Sequence, residues 1–360
     1  MKRIVITTGG TGGHIYPALV TAEGLRADGW EVLFVGRFGP ARDRLVSAGF
    51  EVEEIPARGF VSKGFVERLR ASGDLLSGIG AARGLLKRLH VRGVLGFGGY
   101  ASVATILAAR SLGIKTMLHE QNVKPGLANR ILGRIVRSVA ITFRESARYF
   151  PSGKTVWSGY PLRPLSRASS REEACRAFSL EPALRTLLVF GGSQGAQAIN
   201  EALMNMVSAF SLGEGWQVLH ATGRGKSEGV SAYYKACGIP ACVVEHISDM
   251  AAAYAVADVV VARSGAGTVT ELGVLGIPAV LVPYPFAGGH QRENARVLEQ
   301  LHTAEIIEEK DLKGGILRDK IFSVLRKVSS RTEAQKALQK EIRLDAVTRL
   351  VDEVSRVFGF

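Results

Sequence analysis

Residues 4–29 read IVITTGGTGGHIYPALVTAEGLRADG. A β-branched run gives way at Thr8 to Gly9, Gly10, Thr11, Gly12 and Gly13, then to His14 and a helical pattern. β-Branched residues suit strands, and a strand, a glycine turn and a helix in that order predict the start of a parallel α/β unit. The loop carries almost no side-chain bulk, so a ligand can lie against its peptide groups, and the helix N-terminus behind it attracts anions. The spacing is not the Gly-x-Gly-x-x-Gly of a dinucleotide site, because the glycines end in His14.

The same grammar recurs. Short apolar runs lead into Gly98-Gly99-Tyr100, into Gly191-Gly192-Ser193-Gln194-Gly195, and into Arg263-Ser264-Gly265-Ala266-Gly267. Further strand candidates are EVLFVG (31–36), KTMLHE (115–120), SVAIT (138–142), WQVLHAT (216–222), ACVVEH (241–246) and PAVLVP (278–283). Strands alternating with helices predict parallel sheets, with two glycine loops at the strand ends of each half, where doubly wound folds take their ligands.

A chain of 360 residues exceeds what one core holds, so two domains are expected. The segment SGYPLRPLSRASSREEA, residues 158–174, with its prolines and serines, reads as the linker. In the last segment Leu344, Val347, Leu350, Val351, Val354 and Val357 recur at helical spacing, which predicts a helix with one buried face. No apolar run approaches the roughly 20 residues of a membrane span, and MKRIVITTGG runs into a strand instead of a signal peptide. Cys175, Cys237 and Cys242 have no metal-site spacing and read as reduced, mostly buried thiols. The net charge of +13 is uneven: residues 1–160 hold 23 Lys/Arg against 11 Asp/Glu, residues 161–360 hold 23 against 22. The first half therefore expects an anionic partner, a nucleic acid or a membrane surface.

Three clusters suit a nucleotide sugar. Ser193 and the amides around it offer donors to phosphate; Ala266, Gly267 and Thr268 expose amides at a helix start, with Glu271 a turn inside, placed to accept from a ribose diol. Gln291 and Asn294 open another helix beside His290, and amides suit sugar hydroxyls. His119, Glu120, Gln121 and Asn122 end a strand with four polar residues that make poor core.

Taken together, Thr8 through His14, Gly98-Gly99-Tyr100, His119-Glu120-Gln121-Asn122 with Gly126 and Asn129-Arg130, Gly191 through Ala196, and Arg263 through Glu271 resemble the MurG family. These are membrane-associated N-acetylglucosaminyltransferases of bacterial peptidoglycan synthesis, and the resemblance runs the whole chain in order. It implies a GT-B fold: α/β, two doubly wound Rossmann-like domains with parallel sheets facing across a cleft. Residues 1–160 would take the acceptor and meet the membrane, residues 165–340 would bind the donor, and the helix at 342–358 would cross back onto the first domain. The activity implied is inverting transfer of N-acetylglucosamine from UDP-N-acetylglucosamine to undecaprenyl-pyrophosphoryl-N-acetylmuramoyl-pentapeptide, lipid I to lipid II, peripherally at the cytoplasmic face of the membrane, with other cell-wall synthesis proteins as partners and no cofactor. The family's substrate-binding positions carry over to Thr11, Gly12, Gly13, Asn122, Arg163, Ser193, Ile247, Ala266, Gly267, Thr268, Val269, Thr270, Glu271 and Gln291. Similar proteins usually have Asn before the hinge proline where this chain has Tyr160, and a larger residue where it has Gly267.

Such a transfer needs a base for the acceptor hydroxyl and compensation for charge growing on the departing pyrophosphate. Many sugar transferases use a divalent metal on Asp-x-Asp, which this sequence lacks, so helix N-termini, backbone amides and Arg163 are expected to serve with no metal. His14 is the candidate base, its intrinsic pKa near about 6.5, with Glu120 as the alternative. The segment 58–90 interleaves Phe60, Val61, Phe65, Leu69, Leu75, Leu76, Leu85 and Leu86 with Arg58, Lys63, Arg68, Arg70, Arg83, Lys87 and Arg88, as a surface for anionic lipid would; an amphipathic helix on the core gives the plainer account. A UDP-sugar:diacylglycerol glycosyltransferase is the nearest rival. An oxidoreductase lacks its fingerprint, and no nucleic-acid motif is present, so no nucleic-acid partner is expected.

Overall fold

The computed structural model describes residues 2–9, 12–56, 65–163, 170–192, 195–210, 215–286, 288–328, 335–336 and 342–359, the side chains of 65–72 and 207–210 excepted. The chain divides into two units, Met1–Arg163 with Arg343–Phe360, and Pro164–Ile342.

The first unit carries β1 (Arg3–Gly9), β2 (Glu31–Arg37), β3 (Glu51–Glu54), β4 (Gly93–Gly96), β5 (Lys115–Glu120), β6 (Ser138–Ile141) and β7 (Thr155–Trp157). They pair in the order β3-β2-β1-β4-β5-β6-β7, every pair parallel. The central strands are buried along nearly their whole length because helices cover both faces, with Ile4-Val5-Ile6 of β1, Val94-Leu95 of β4 and Met117-Leu118 of β5 at their centres. The C-terminal helix, Ala346–Phe358, seals one face: Leu350, Val354 and Phe358 are buried in the same cluster as Ile4, Ile6, Phe34 and Leu95. Each such side chain contributes about 1.5–3 kcal/mol by leaving water.

The second unit carries β8 (Arg185–Phe190), β9 (Trp216–Ala221), β10 (Ala241–Val244), β11 (Ala257–Ala262), β12 (Ala279–Leu281) and β13 (Ala304–Ile306), ordered β10-β9-β8-β11-β12-β13 and again wholly parallel. Leu187, Val189, Val259, Val261, Val280 and Leu317 lie in its core. Both sheets thus have the doubly wound order that the sequence pattern predicts. In each, strand order reverses at one place, between β1 and β4 and between β8 and β11, and the loops leaving those strands are the four glycine loops.

Three strands escape a sequence reading. β3 is EVEE, too acidic to look like a strand, while β7 and β13 span three residues each. The cysteines differ as well: Cys175 is buried, but Cys242 is half-buried and Cys237 exposed. No helix among the described residues is long and apolar enough to cross a membrane.

Candidate active site

At the first switch point the loops after β1 and β4 touch backbone to backbone. The Gly9 N–H donates to the Gly98 carbonyl at 3.0 Å. A Cβ on Gly99, whose φ is +83°, would fall 2.8 Å from the Gly9 Cα. Those glycines serve loop packing. Gly12 and Gly13 begin the opening helix, Gly12–Ala27, and a Cβ on Gly13 would meet nothing within 4 Å, so the open backbone that suits a ligand lies here. The second unit divides its glycines the same way: a Cβ on Gly195 would sit 2.2 Å from the Thr222 carbonyl oxygen, whereas Gly192 is open.

His14 occupies the first turn of the opening helix and is half-buried. Its Nδ1 lies 2.9 Å from Gln121 Oε1. The Gln121 Nε2 amide donates to the His119 carbonyl at 3.0 Å and reaches His119 Nδ1 at 3.0 Å. His119 Nε2 is 3.0 Å from the Gly159 carbonyl. His119 is wholly buried against Phe97, and burial pulls its pKa down to about 4, against the pull of the Gly159 carbonyl. It is neutral in the folded protein at neutral pH.

Glu120 sits beside this chain, only 1% exposed. Its Oε1 accepts from the Asn122 backbone N–H at 2.8 Å and from Asn122 Nδ2 at 3.1 Å, and its Oε2 accepts from Asn129 Nδ2 at 2.8 Å. Burial raises its pKa while these donors oppose the rise. The carboxylate is thus occupied in holding Asn122 and Asn129. Asn129 Oδ1 is buried with no partner among the described residues. Arg163, exposed, stacks over the Tyr16 ring at 4.3 Å, within the first unit. Tyr160, by contrast, is buried.

In the second unit, Gly265 precedes the helix Ala266–Leu275. Ser264 Oγ donates to the Gln291 carbonyl at 2.8 Å, and Asn294 Nδ2 donates to the Ser264 carbonyl at 3.3 Å, tying this loop to the start of the helix His290–Gln300. Gln291 Oε1 accepts from the Tyr284 N–H at 2.9 Å. Glu271, half-buried, takes the Tyr254 hydroxyl on Oε2 at 2.7 Å. Gly267 and Thr268 are half-buried in the first turn, whereas Val269 and Thr270 point into the core, Thr270 Oγ1 donating back to the Ala266 carbonyl at 2.8 Å. Ile247 is buried just before the helix Met250–Val256. Thr11 and Ser193 lie outside the described residues.

Sequence reasoning overlooks Tyr254, and it names Arg263 without its partners: the guanidinium donates to the Val282 carbonyl at 3.2 Å and pairs with Glu309. It also misplaces part of the apolar surface. In the helix Phe65–Leu89, Leu85 and Leu86 are core and Leu75 packs against them, leaving Leu76 exposed at 71%. Phe60, Val61, Arg58 and Lys63, and the side chains of Phe65, Arg68, Leu69 and Arg70, lie outside what the structure describes. Among the described residues of this unit, Leu127, Ile131 and Ile135, on and just after the helix Leu127–Leu132, form a further exposed apolar group, interleaved with exposed Arg130, Arg134 and Arg137, while Leu344 of the last segment is also exposed.

Two parallel-sheet Rossmann-like units, each with glycine loops at its switch point, make the GT-B pattern of nucleotide-sugar glycosyltransferases. Residues 4–141 match the glycosyltransferase family 28 N-terminal domain and residues 186–350 the glycosyltransferase family 28 C-terminal domain. The chain belongs to glycosyltransferase family 28. It is 38% identical, over 98% of each chain, to the UDP-N-acetylglucosamine--N-acetylmuramyl-(pentapeptide) pyrophosphoryl-undecaprenol N-acetylglucosamine transferase of Desulforudis audaxviator, and 43% identical, over 87% of this chain and 86% of the other, to the protein of that name from Nitratidesulfovibrio vulgaris. Among solved structures, MurG of Acinetobacter baumannii superposes with a TM-score of 0.79 at 30% identity, covering 99% of this chain and 100% of that one.

Proposed function

We propose that this chain transfers N-acetylglucosamine from UDP-N-acetylglucosamine, with inversion, to the sugar hydroxyl of undecaprenyl-pyrophosphoryl-N-acetylmuramoyl-pentapeptide. Its near-full-length similarity to relatives bearing that activity in their names carries the reading. In this reading the first unit takes the acceptor and the second the donor. The acceptor hydroxyl gives its proton to His14 Nε2 as its oxygen bonds to the sugar C1. The C1–O bond to the pyrophosphate breaks and UDP leaves with the electron pair. Charge growing on UDP meets the peptide N–H groups of Gly265 to Thr268 at the start of a helix, and the loop at 191–195 and Arg163 are the further donors in this reading. Glu271 accepts from the ribose, and Gln291 with Asn122 serves sugar hydroxyls.

The basic first unit then has an anionic surface to meet. Leu127 and Ile131, 72% and 56% exposed, alternate with Arg130 and Arg134, which supports peripheral attachment at the cytoplasmic face, each cation worth about 1 kcal/mol near anionic headgroups.

The deciding experiment offers the protein UDP-N-acetylglucosamine with either the lipid-linked muramoyl-pentapeptide or diacylglycerol. A lipid-linked disaccharide is expected. Sugar appearing on diacylglycerol alone overturns the assignment.

A further inference from the structure

We infer that Gln121 and His119 are positioning residues that hold His14 in the Nδ1–H tautomer, so that its Nε2 carries the lone pair that takes the acceptor's proton. The inference rests on the reading of His14 as the base, and it deepens that reading by naming what orients the ring.

Two backbone carbonyls fix the polarity of the whole chain. The Gly159 carbonyl can only accept, so His119 Nε2 must donate to it. A neutral His119 therefore presents a bare Nδ1, and a hydrogen must come to it from Gln121. The His119 carbonyl, also an acceptor only, demands the same amide nitrogen. Flipping the Gln121 amide would set its oxygen against both a carbonyl and an unprotonated ring nitrogen, so the flip is disfavoured twice over. With Nε2 turned toward His119, Oε1 is left facing His14, and His14 Nδ1 must donate. Burial supports the argument: His119 is 0% and Gln121 1% exposed, so no water competes for these groups.

In hydrolases with an acid–histidine pair, a carboxylate fixes the tautomer and stabilises the imidazolium that forms. Here a neutral amide fixes it. The group that orients the ring is therefore a neutral one, itself fixed by two backbone carbonyls. Gly98 completes the seat, since a Cβ there would stand 3.2 Å from His14 Cε1.

The test is nitrogen NMR on the full-length protein labelled with 15N-histidine, at a pH where the rings are neutral. The His14 signals, assigned from their loss in His14→Ala, are expected to show a protonated Nδ1 and a bare Nε2, and His119 the reverse. In Gln121→Met, which keeps the side-chain length and removes all three of its side-chain hydrogen bonds, His14 is expected to lose that preference. The variant's kcat, expressed per UDP-binding site counted by calorimetry so that unfolded protein is left out, should fall at least about 10-fold with KM for UDP-N-acetylglucosamine little changed. A wild-type His14 protonated at Nε2, or a tautomer unmoved in Gln121→Met, overturns the inference, and the first of these needs no variant to fold. A His14→Ala enzyme with near-normal kcat overturns the base reading instead, and the nitrogen shifts alone then decide the tautomer.

Discussion

Gly9 and Gly99 meet so closely that a Cβ added to Gly99 would lie 2.8 Å from the Gly9 Cα and 2.9 Å from its nitrogen. Gly99→Ala therefore carries two costs: about 1–3 kcal/mol for a side chain at φ +83° and ψ +166°, a region that glycine alone occupies readily, and a backbone displacement on top. Gly113, at φ +74° with nothing within 4 Å, isolates the first cost. Urea titration is expected to show Gly99→Ala destabilising the protein by at least about 3 kcal/mol and Gly113→Ala by about 1 kcal/mol. Equal losses would mean that the loops after β1 and β4 are not locked together.

This pair also marks how far the sequence is legible. The β-branched runs and the glycine loops that follow them announce both sheets, because buried parallel strands are apolar throughout and turn at their C-terminal ends. EVEE does not announce β3, since an edge strand covered on one side tolerates charge. The site is half legible. Four polar residues ending β5 are visible as a cluster, but nothing in HEQN tells that His119 and Gln121 face His14 while Glu120 turns the other way to Asn122 and Asn129. That division follows from alternation along the strand and from which carbonyls lie in reach. Tyr254 is invisible for a different reason: its partner Glu271 is 17 residues distant, on another helix.

Glu271→Ala is expected to weaken UDP binding by about 1.5–3 kcal/mol, the range for hydrogen bonds to a charged group. Tyr254→Phe removes one hydrogen bond to Glu271 Oε2 and keeps the carboxylate, so its loss should be smaller, about 0.5–1.5 kcal/mol. Calorimetric titration with UDP checks both. Unchanged affinity in Glu271→Ala would remove this residue from the nucleotide site.

Stability should fall on mild acidification. Burial lowers both His119 and His220 to about 4 in the folded chain, against about 6.5 unfolded. A depressed folded pKa gives stability that is complete above the unfolded value and is lost as pH falls toward the folded one. Between pH 6.5 and 4 the unfolded chain alone takes up these protons, removing up to about 3 kcal/mol per histidine. Urea midpoints measured from pH 7 to 4 should decline accordingly. His220→Gln should flatten the decline of the second unit, followed through Trp216 fluorescence; an unaltered slope would mean that His220 does not titrate in this way.

Turnover should persist in excess EDTA. The sequence has no Asp-x-Asp, while peptide N–H groups at Gly265 to Thr268 stand where a helix begins. A loss of activity that magnesium restores would assign the pyrophosphate charge to a metal instead.

His14→Ala should separate chemistry from binding. His14 belongs to the first unit and the Gly265–Glu271 segment to the second, so removing the imidazole leaves the second unit's proposed contacts to the nucleotide in place. kcat is expected to fall about 10²-fold or more, the usual scale for a general base, with UDP affinity little changed. The pH profile makes the assignment specific. A base must be neutral to act, so wild-type kcat/KM should decline as pH falls through the pKa of His14 in the free enzyme, and that acidic limb should vanish in His14→Ala because the titrating group is gone. Glu120 makes the contrasting case: its carboxylate already accepts three hydrogen bonds from Asn122 and Asn129, so Glu120→Gln should cost stability by disordering those two side chains while leaving the acidic limb where it was. A limb that survives in His14→Ala and disappears in Glu120→Gln would exchange the two roles.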